Sequence, residues 1–168
     1  MTDRADPQSV PPDEEQESVV AQDTTVRLSL DDQLCFALYA ATNAVTRAYA
    51  PQLDQIGLTY PQFLVMLVLW EDGPSTLGSV AKRLRLPSNA ITPLVDRLEA
   101  KGLVERRRNA GDRRTVIVAP TAEGADLMED AADAQAAVEA RTRLDRDDLD
   151  RLRSDLHALT DRMEPRRD

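Results

Sequence analysis

The first apolar pattern of the chain is that of an amphipathic helix before Pro51. Ser29 and Asp32 have the spacing of a capping box, which predicts a helix start near Ser29. One apolar face follows at steps of three and four residues, formed by Leu34, Leu38, Ala41, Val45 and Ala48. Because proline cannot continue a helix interior, the helix is expected to end at Pro51.

A second helix is predicted from Tyr60 or Pro61 through Trp70. Residues 63–70 are apolar on every side, so this helix should lie at the centre of the core. Two short amphipathic segments follow it, with apolar faces at Leu77, Val80, Ala81 and Leu84 and at Ile91, Leu94, Val95 and Leu98.

The second of these short segments has recognisable end signals. Ser88 or Asn89 is suited to cap its start, and Pro93 is then tolerated near the first turn, where amides lack helical partners. Lys101 and Gly102 are expected to end the helix with a positive charge and a left-handed glycine.

A hairpin and two further helices complete the pattern. Leu103–Val104 and residues 115–118 are strand-like runs, and the turn residues 109–112 lie between them. A long alanine-rich helix is expected from Thr121. A final helix has a narrow seam of coiled-coil type at Leu149, Leu152, Leu156, Leu159 and Met163.

Three helices followed by a basic hairpin are typical of a winged helix-turn-helix. The predicted fold is therefore mainly α, in the α+β class, with a winged helix-turn-helix domain over residues 59–120. The outer helices, over residues 28–58 and 121–164, have apolar faces too large for this domain to cover, so we expect them to form a two-fold homodimer. Residues 1–27 are rich in Pro, Gln, Asp, Glu and Ser and are predicted to be a disordered acidic tail.

Composition narrows the classes of function. The chain has 168 residues, and its apolar runs are shorter than the ~20 residues that a membrane span requires. Without a recognisable secretory signal, a cytoplasmic protein with no membrane partner is expected. One cysteine, Cys35, excludes an intramolecular disulfide framework and a cysteine-cluster metal site, and the single histidine, His157, argues against a Ser-His-Asp enzyme. No cofactor, metal or catalytic residue is predicted.

Charge is distributed unevenly along the chain. The net charge is −9, which taken alone argues against a nucleic-acid partner. Residues 73–119 nevertheless carry 10 basic and 4 acidic side chains, a net charge of +6, whereas the segments on either side are acidic. A basic block of this kind indicates a surface for a polyanion, although a solvated charged face would give the same count.

Two stretches resemble the DNA-binding core of MarR-family regulators. Residues 86–104 read Leu-Pro-Ser-Asn-Ala-Ile-Thr-Pro-Leu-Val-Asp-Arg-Leu-Glu-Ala-Lys-Gly-Leu-Val, preceded by Pro-Ser-Thr-Leu at 74–77. Residues 112–124 read Asp-Arg-Arg-Thr-Val-Ile-Val-Ala-Pro-Thr-Ala-Glu-Gly. The resemblance extends over about residues 30–164. It implies a homodimeric repressor that binds double-stranded operator DNA at a pseudo-palindromic site.

The predicted DNA contacts lie on the recognition helix and the wing. A recognition helix places its N-terminal residues in the major groove, where Asn can pair with adenine and Ser and Thr are adaptable. This helix offers Ser88, Asn89, Thr92 and Arg97, and the matched stretch adds Ser75. The arginine-rich hairpin suits the minor groove. Its candidates are Arg106, Arg107, Arg108, Arg113 and Arg114, with Asp112 of the family's Asp-x-Arg motif orienting Arg114.

A narrower resemblance is to the organic-hydroperoxide-resistance repressors within that family. It rests on Asp-Asp-Gln-Leu-Cys-Phe-Ala-Leu-Tyr-Ala at 31–40, on Tyr49, and on Leu-Thr-Tyr-Pro-Gln-Phe at 58–63. In those repressors the equivalent cysteine senses peroxide, and tyrosines at these positions hydrogen-bond it. The resemblance therefore implies a redox-sensing site formed by Cys35, Tyr39, Tyr49 and Tyr60, of the one-cysteine type.

Helix geometry limits how the tyrosines reach the cysteine. Tyr39 lies on the same face of the helix as Cys35, four residues on, whereas Tyr49 is about 21 Å along the axis at ~1.5 Å per residue. If Tyr49 contacts a sensor thiol, that thiol belongs to the other subunit, and the resemblance implies the same for Tyr60. A phenol that donates to sulfur favours the thiolate. Apolar neighbours such as Phe36 and Leu38 favour an organic peroxide.

The expected mechanism is a redox switch. An organic hydroperoxide, acting as inducer, converts Cys35 to a sulfenic acid, which must then react with a low-molecular-weight thiol or over-oxidise, and the dimer leaves its operator. One alternative is a regulator of phenolic or aromatic ligands in which Cys35 is structural, since a lone cysteine on an amphipathic helix is usually a small buried hydrophobe. Another is a thiol peroxidase, which is disfavoured because the nearest arginine, Arg47, is three turns away.

Overall fold

Over the residues that the structure describes, the chain forms six helices and one three-stranded sheet. This computed structural model describes residues 28–108, 111 and 115–163. The elements in chain order are α1 (Leu34–Gln55), α2 (Tyr60–Asp72), β1 (Ser75–Thr76), α3 (Leu77–Arg83), α4 (Ser88–Ala100), β2 (Val104–Arg108), β3 (Val116–Pro120), α5 (Ala122–Thr142) and α6 (Arg146–Met163). The sheet is antiparallel in the order β1-β3-β2. This order confirms the predicted winged helix-turn-helix with outer helices.

The core is built around α2, as its uniformly apolar sequence predicts. Six of its residues are buried, among them Phe63, Met66 and Leu69. Helices α3 and α4, the sheet and the inner face of α5 pack around it through the buried residues Val80, Ile91, Val95, Leu98, Val104, Val118, Ala131, Ala134 and Val138. The winged helix-turn-helix domain and α5 therefore share one hydrophobic core.

Both predicted ends of α1 are wrong. The helix begins at Leu34 with Gln33 as N-cap, because a turn in which the Gln33 amide donates to the Leu30 carbonyl at 3.1 Å takes the place of the expected capping box. It continues through Pro51 to Gln55. Tyr49 and Leu53 are buried on either side of Pro51, so packing outweighs the loss of one helical hydrogen bond.

The predicted start of α4, with Ser88 or Asn89 as N-cap, is wrong by one or two residues. Pro87 is the N-cap, and its carbonyl accepts from the Ala90 amide at 2.9 Å. Pro93 is then the sixth residue of the helix, beyond the first turn, and it removes one bond that Ile91 and Val95 offset by burial. The predicted end is confirmed, since Gly102 has a φ of 74° directly after the C-cap Lys101.

The junction between α5 and the winged helix-turn-helix domain is tightly packed. Thr121 caps α5, accepting from the Gly124 amide at 3.0 Å and donating to the Gly102 carbonyl at 2.6 Å. Trp70 Nε1 donates to the Gly124 carbonyl at 2.9 Å. A Cβ on Gly124 would lie only 1.9 Å from the Leu103 oxygen, so this position requires glycine.

The outer helices leave apolar side chains uncovered. No residue of α6 is buried, and its Leu152, Leu156 and Met163 are exposed, as are Leu34 and Val45 of α1. The dimer that would cover them stays a prediction. Within the described part of the chain, no helix is both long enough and apolar enough to cross a bilayer.

Candidate nucleic-acid interface and cysteine site

The recognition helix α4 has one buried and one open face. Ile91, Val95 and Leu98 point into the core and are fully buried. The opposite face exposes the four predicted DNA-contacting residues of this helix, Ser88, Asn89, Thr92 and Arg97. Because the helix is fixed by its apolar side, its polar side is presented to solvent in a defined orientation.

The turn before α4 contains a feature that the sequence analysis missed. Arg85 has a φ of 55°, a left-handed conformation that costs an L-residue about 1–2 kcal/mol. Its guanidinium forms an ion pair with Asp161 of α6 at 2.7 Å. The end of the last helix therefore touches the turn that sets the angle between α3 and α4.

The first wing strand is linked to the recognition helix through Arg106. Its two Nη atoms form ion pairs of 2.5 Å with Asp96 and with Glu99, and its amide donates to Glu99 Oε1 at 3.2 Å. The hydrogen bond to Asp96, reinforced by the charge of Glu99, raises the pKa of Arg106. Of the predicted wing cations, this one is held within the protein.

The other predicted contacts of the wing and sheet have different surroundings. Arg107 pairs with Glu105, and Arg108 is exposed at the end of β2. Ser75 is half-buried in β1, where its hydroxyl donates to the Gly73 carbonyl at 3.1 Å. The predicted hairpin turn at 109–112 falls largely outside the described residues, as do Asp112, Arg113 and Arg114.

The four predicted redox residues occupy two separate places in one chain. Cys35, the second residue of α1, is exposed, and Tyr39 is 66% exposed. Tyr49 is 8% exposed and lies against Tyr60 and Phe63, with ring centroids 5.2 and 5.5 Å away. Because Cys35 and Tyr49 belong to the same helix, about 21 Å of helix axis separates them at ~1.5 Å per residue. A single chain does not bring the thiol to the pair formed by Tyr49 and Tyr60.

The phenols of the buried Tyr49 and the half-buried Tyr60 are both held in their protonated form. Burial raises the pKa of Tyr49 to about 12, with further contributions from Tyr60 and from Glu139 of α5. Burial also raises the pKa of Tyr60. At neutral pH this pair therefore consists of hydrogen-bond donors.

The tyrosine pair is connected to the recognition helix by a buried glutamine that the sequence analysis did not single out. Gln62 is 2% exposed, and its Oε1 accepts from the Thr59 amide at 3.0 Å and from Lys101 Nζ at 3.3 Å. The same ammonium donates to the Gly57 carbonyl. The Thr-x-x-Gln spacing of a capping box was the signal available in the sequence. The C-cap of α4 is thereby attached to the turn in which Tyr60 begins α2.

An apolar groove lies between α2 and α5. It has a volume of about 290 Å³ and is lined mainly by Leu67, Trp70, Met128, Ala131 and Ala132, with Glu71 and Gln135 contributing polar groups. Its size and lining suit a small aromatic molecule.

Comparisons with known proteins agree with this architecture. The MarR family model matches residues 58–116. The chain is 38% identical over 132 residues to the organic hydroperoxide resistance transcriptional regulator of Bacillus subtilis. The aligned region covers 79% of this chain and 90% of that regulator.

Solved structures are similar over most of the chain. AbfR of Staphylococcus epidermidis, reduced and bound to DNA, is 34% identical with a TM-score of 0.67, covering 80% of this chain and 94% of that one. The disulfide form of AbfR is 35% identical with a TM-score of 0.58, and the match covers 80% of this chain and 89% of that one. CouR from Rhodococcus jostii RHA1, bound to p-coumaroyl-CoA, is 28% identical with a TM-score of 0.69, over 79% and 94%.

Proposed function

The chain belongs to the MarR family of transcriptional regulators, and we propose that it is a repressor that binds operator DNA as a homodimer and is released when an organic hydroperoxide oxidises Cys35. The observation that carries the proposal is the exposed thiol of Cys35 near the start of α1. It lies on the helix that also carries the buried, protonated Tyr49. As a regulator of transcription, the protein is not an enzyme.

The DNA-binding part of the proposal rests on the winged helix-turn-helix domain. Ser88, Asn89, Thr92 and Arg97 are exposed on one face of α4, and the surrounding segment 73–119 has a net charge of +6. Together they combine side chains that can hydrogen-bond base edges with a cationic field for phosphates. Two such domains on a two-fold dimer match a pseudo-palindromic site.

The redox part requires two subunits. Antiparallel pairing of two α1 helices brings Tyr49 and Tyr60 to the partner subunit's Cys35 if the two-fold axis passes midway between positions 35 and 49, at Thr42. Residues 40–44 read Ala-Ala-Thr-Asn-Ala, and Ala41 and Thr42 are exposed in one chain. Such small residues allow two helices to approach closely.

Oxidation of the thiol is a two-electron step. The Cys35 sulfur attacks one oxygen of the hydroperoxide, an S–O bond forms, the O–O bond breaks, and the organic fragment leaves as an alcohol after gaining a proton. A low-molecular-weight thiol then condenses with the sulfenic acid, forming a mixed disulfide and releasing water. AbfR is known in a disulfide form. This chain has one cysteine, so its disulfide takes a second sulfur from outside the chain.

The decisive test is DNA release by peroxide. Wild-type protein and Cys35→Ser are titrated onto a duplex that the wild type enriches from a randomised pool, with and without cumene hydroperoxide and free cysteine. Both should bind when reduced, and only the wild type should dissociate, with Cys35 carrying the added thiol by mass spectrometry. Equal dissociation of Cys35→Ser would refute the sensor role.

Subunit mixing tests whether the site spans the dimer. Cys35→Ser and the Tyr49→Phe/Tyr60→Phe double variant should each respond poorly to peroxide as homodimers. A mixed dimer contains one complete site, in which the intact cysteine of one chain meets the intact tyrosines of the other. Recovery of the fast response on mixing supports the shared site. Failure to recover while both variants still bind DNA contradicts it.

Release by an aromatic ligand is the second candidate function. The apolar groove between α2 and α5 favours it, and CouR, which is 28% identical, was solved with p-coumaroyl-CoA bound. Under this alternative a phenolic acid or its thioester dissociates Cys35→Ser from DNA as readily as the wild type. No response of either protein to such compounds, beside a response of the wild type to peroxide, would exclude it.

A further inference from the structure

Arg106 is the first of three consecutive arginines in the first wing strand, yet its guanidinium contacts carboxylates of α4. We propose that Arg106 is a positioning residue for DNA binding, which fixes the first wing strand against the recognition helix and neutralises Asp96 and Glu99 there. The proposal rests on the DNA-binding part of the proposed function and is independent of peroxide sensing.

The strand geometry directs Arg106 towards α4. Side chains alternate along a strand, so Val104, Arg106 and Arg108 share one face of β2. Val104 is buried under α4, and the side chain of Arg106 is 26% exposed beside it. Arg106 thus continues the inner face of the strand at the edge of the core.

The carboxylates are arranged to hold both the side chain and the backbone of Arg106. Asp96 and Glu99 lie one turn apart on α4, and each receives one Nη atom at 2.5 Å. Glu99 also accepts from the Arg106 amide at 3.2 Å, which fixes the strand itself. The rigid fork of a guanidinium is suited to such a double contact.

The charge balance of the DNA-facing surface depends on the same contacts. Asp96 is exposed on α4 next to Arg97, one of the predicted DNA contacts. Without Arg106, two carboxylates would stand unpaired beside the phosphates. If Arg106 moved to a phosphate, it would leave both behind, so the arrangement favours retention of the ion pairs in the complex.

Arg108 provides a matched control on the same strand face. It is exposed, and within the described residues its guanidinium forms no ion pair. Each lost phosphate contact lowers the slope of log K against log salt by about 0.9, so Arg108→Met should lower it by about 1.8 per dimer. Arg106→Met removes no phosphate contact, so it should lower the slope by clearly less than about 1.8 while weakening binding about 10- to 100-fold, the range for lost hydrogen bonds to charged groups.

Two further variants make the test decisive. Arg106→Lys keeps the charge and cannot span both carboxylates, so it should also bind more weakly at an unchanged slope, and it serves where Arg106→Met does not fold. Asp96→Asn/Glu99→Gln should raise affinity more in the Arg106→Met background than in the wild type, because the wild-type carboxylates are already neutralised. All binding is measured on the duplex enriched by the wild type.

The contrary results are equally specific. A slope that falls by about 1.8 in Arg106→Met, nearly full affinity in Arg106→Lys, or the same gain from Asp96→Asn/Glu99→Gln in both backgrounds would each show that Arg106 leaves its carboxylates and contacts phosphate. If the wild type binds no duplex at all, the proposed DNA binding fails, and the failure is then not that of Arg106.

Discussion

Replacement of Gly124 by alanine tests how α5 is attached to the winged helix-turn-helix domain. The added Cβ would lie 1.9 Å from the oxygen and 2.9 Å from the carbon of the Leu103 carbonyl. Both are backbone atoms, so no side-chain rotation relieves the overlap. Either the start of α5 or the connection from α4 to β2 must move by more than an ångström.

The magnitude follows from what this movement breaks. Three hydrogen bonds cross the contact: Trp70 Nε1 to the Gly124 carbonyl at 2.9 Å, the Thr121 amide to the Leu103 carbonyl at 3.1 Å, and the Thr121 hydroxyl to the Gly102 carbonyl at 2.6 Å. Loss of two costs about 2 kcal/mol at ~1 kcal/mol each, and overpacking adds about 1–3 kcal/mol. Alanine regains about 1 kcal/mol of helix propensity. We expect a net loss of about 3 kcal/mol in the free energy of unfolding.

Gly78→Ala is the matched control. It is also a helical glycine, but the nearest atom to its added Cβ is Thr76 Oγ1 at 3.8 Å, so it should be neutral or stabilising. Urea unfolding at one protomer concentration, followed by the fluorescence of Trp70, the single tryptophan, measures all three proteins. Equal midpoints for Gly124→Ala and Gly78→Ala would refute the packing argument.

Three further predictions concern the tyrosine pair, the glutamine link and the dimer. The pKa of Tyr49 is raised from 10.0 to about 12, so its contribution to stability is fully present below pH 10 and is lost as the pH rises towards 12. The phenolate absorbance of the wild type minus that of Tyr49→Phe should therefore appear near pH 12, and its appearance near pH 10 would contradict the prediction. Gln62→Leu removes the acceptor of Thr59 and Lys101 and should lower stability by about 1–2 kcal/mol in thermal unfolding, whereas an unchanged midpoint would show that the link is dispensable. Thr42→Arg should shift the sedimentation of the dimer towards monomer, and Ala44→Arg, about half a helical turn away, should not; dimers in both would place the interface elsewhere.

The helices could be predicted because their apolar period persists over many residues. α2 extends from Tyr60, as the start of its apolar run indicates, and α5 follows Thr121, whose hydroxyl caps it. Gly102 marks the end of α4, where only a left-handed residue continues the chain. In each case the deciding interaction is local, so the sequence contains it.

Features decided by distant contacts could not be predicted in this way. Pro51 stays inside α1 because Tyr49 and Leu53 are anchored in a core built by other elements. β1 is two residues long, too short for any periodicity, and exists only through pairing with β3. The spacing of Ser29 and Asp32 predicts a cap at Ser29, but the turn from Leu30 to Gln33 intervenes.

The candidate site divides along the same line. The open face of α4 is the complement of its apolar face, so Ser88, Asn89, Thr92 and Arg97 could be located from the pattern. The inward contacts of Arg106 depend on how β2 lies against α4, which no local pattern encodes. For Cys35, helix geometry excludes contact with Tyr49 of the same chain, but it does not by itself supply the second subunit.

Counting charges predicts attraction but not contact. Ion pairs inside residues 73–119 leave the net charge of +6 unchanged, so the long-range attraction of duplex DNA remains as counted. At contact distance, only cations free of carboxylates displace counterions from phosphates. Arg106 holds Asp96 and Glu99, and Arg107 holds Glu105. The salt dependence of the affinity should therefore be weaker than ten basic residues per chain imply, whereas the salt dependence of the association rate should follow the full net charge of the block.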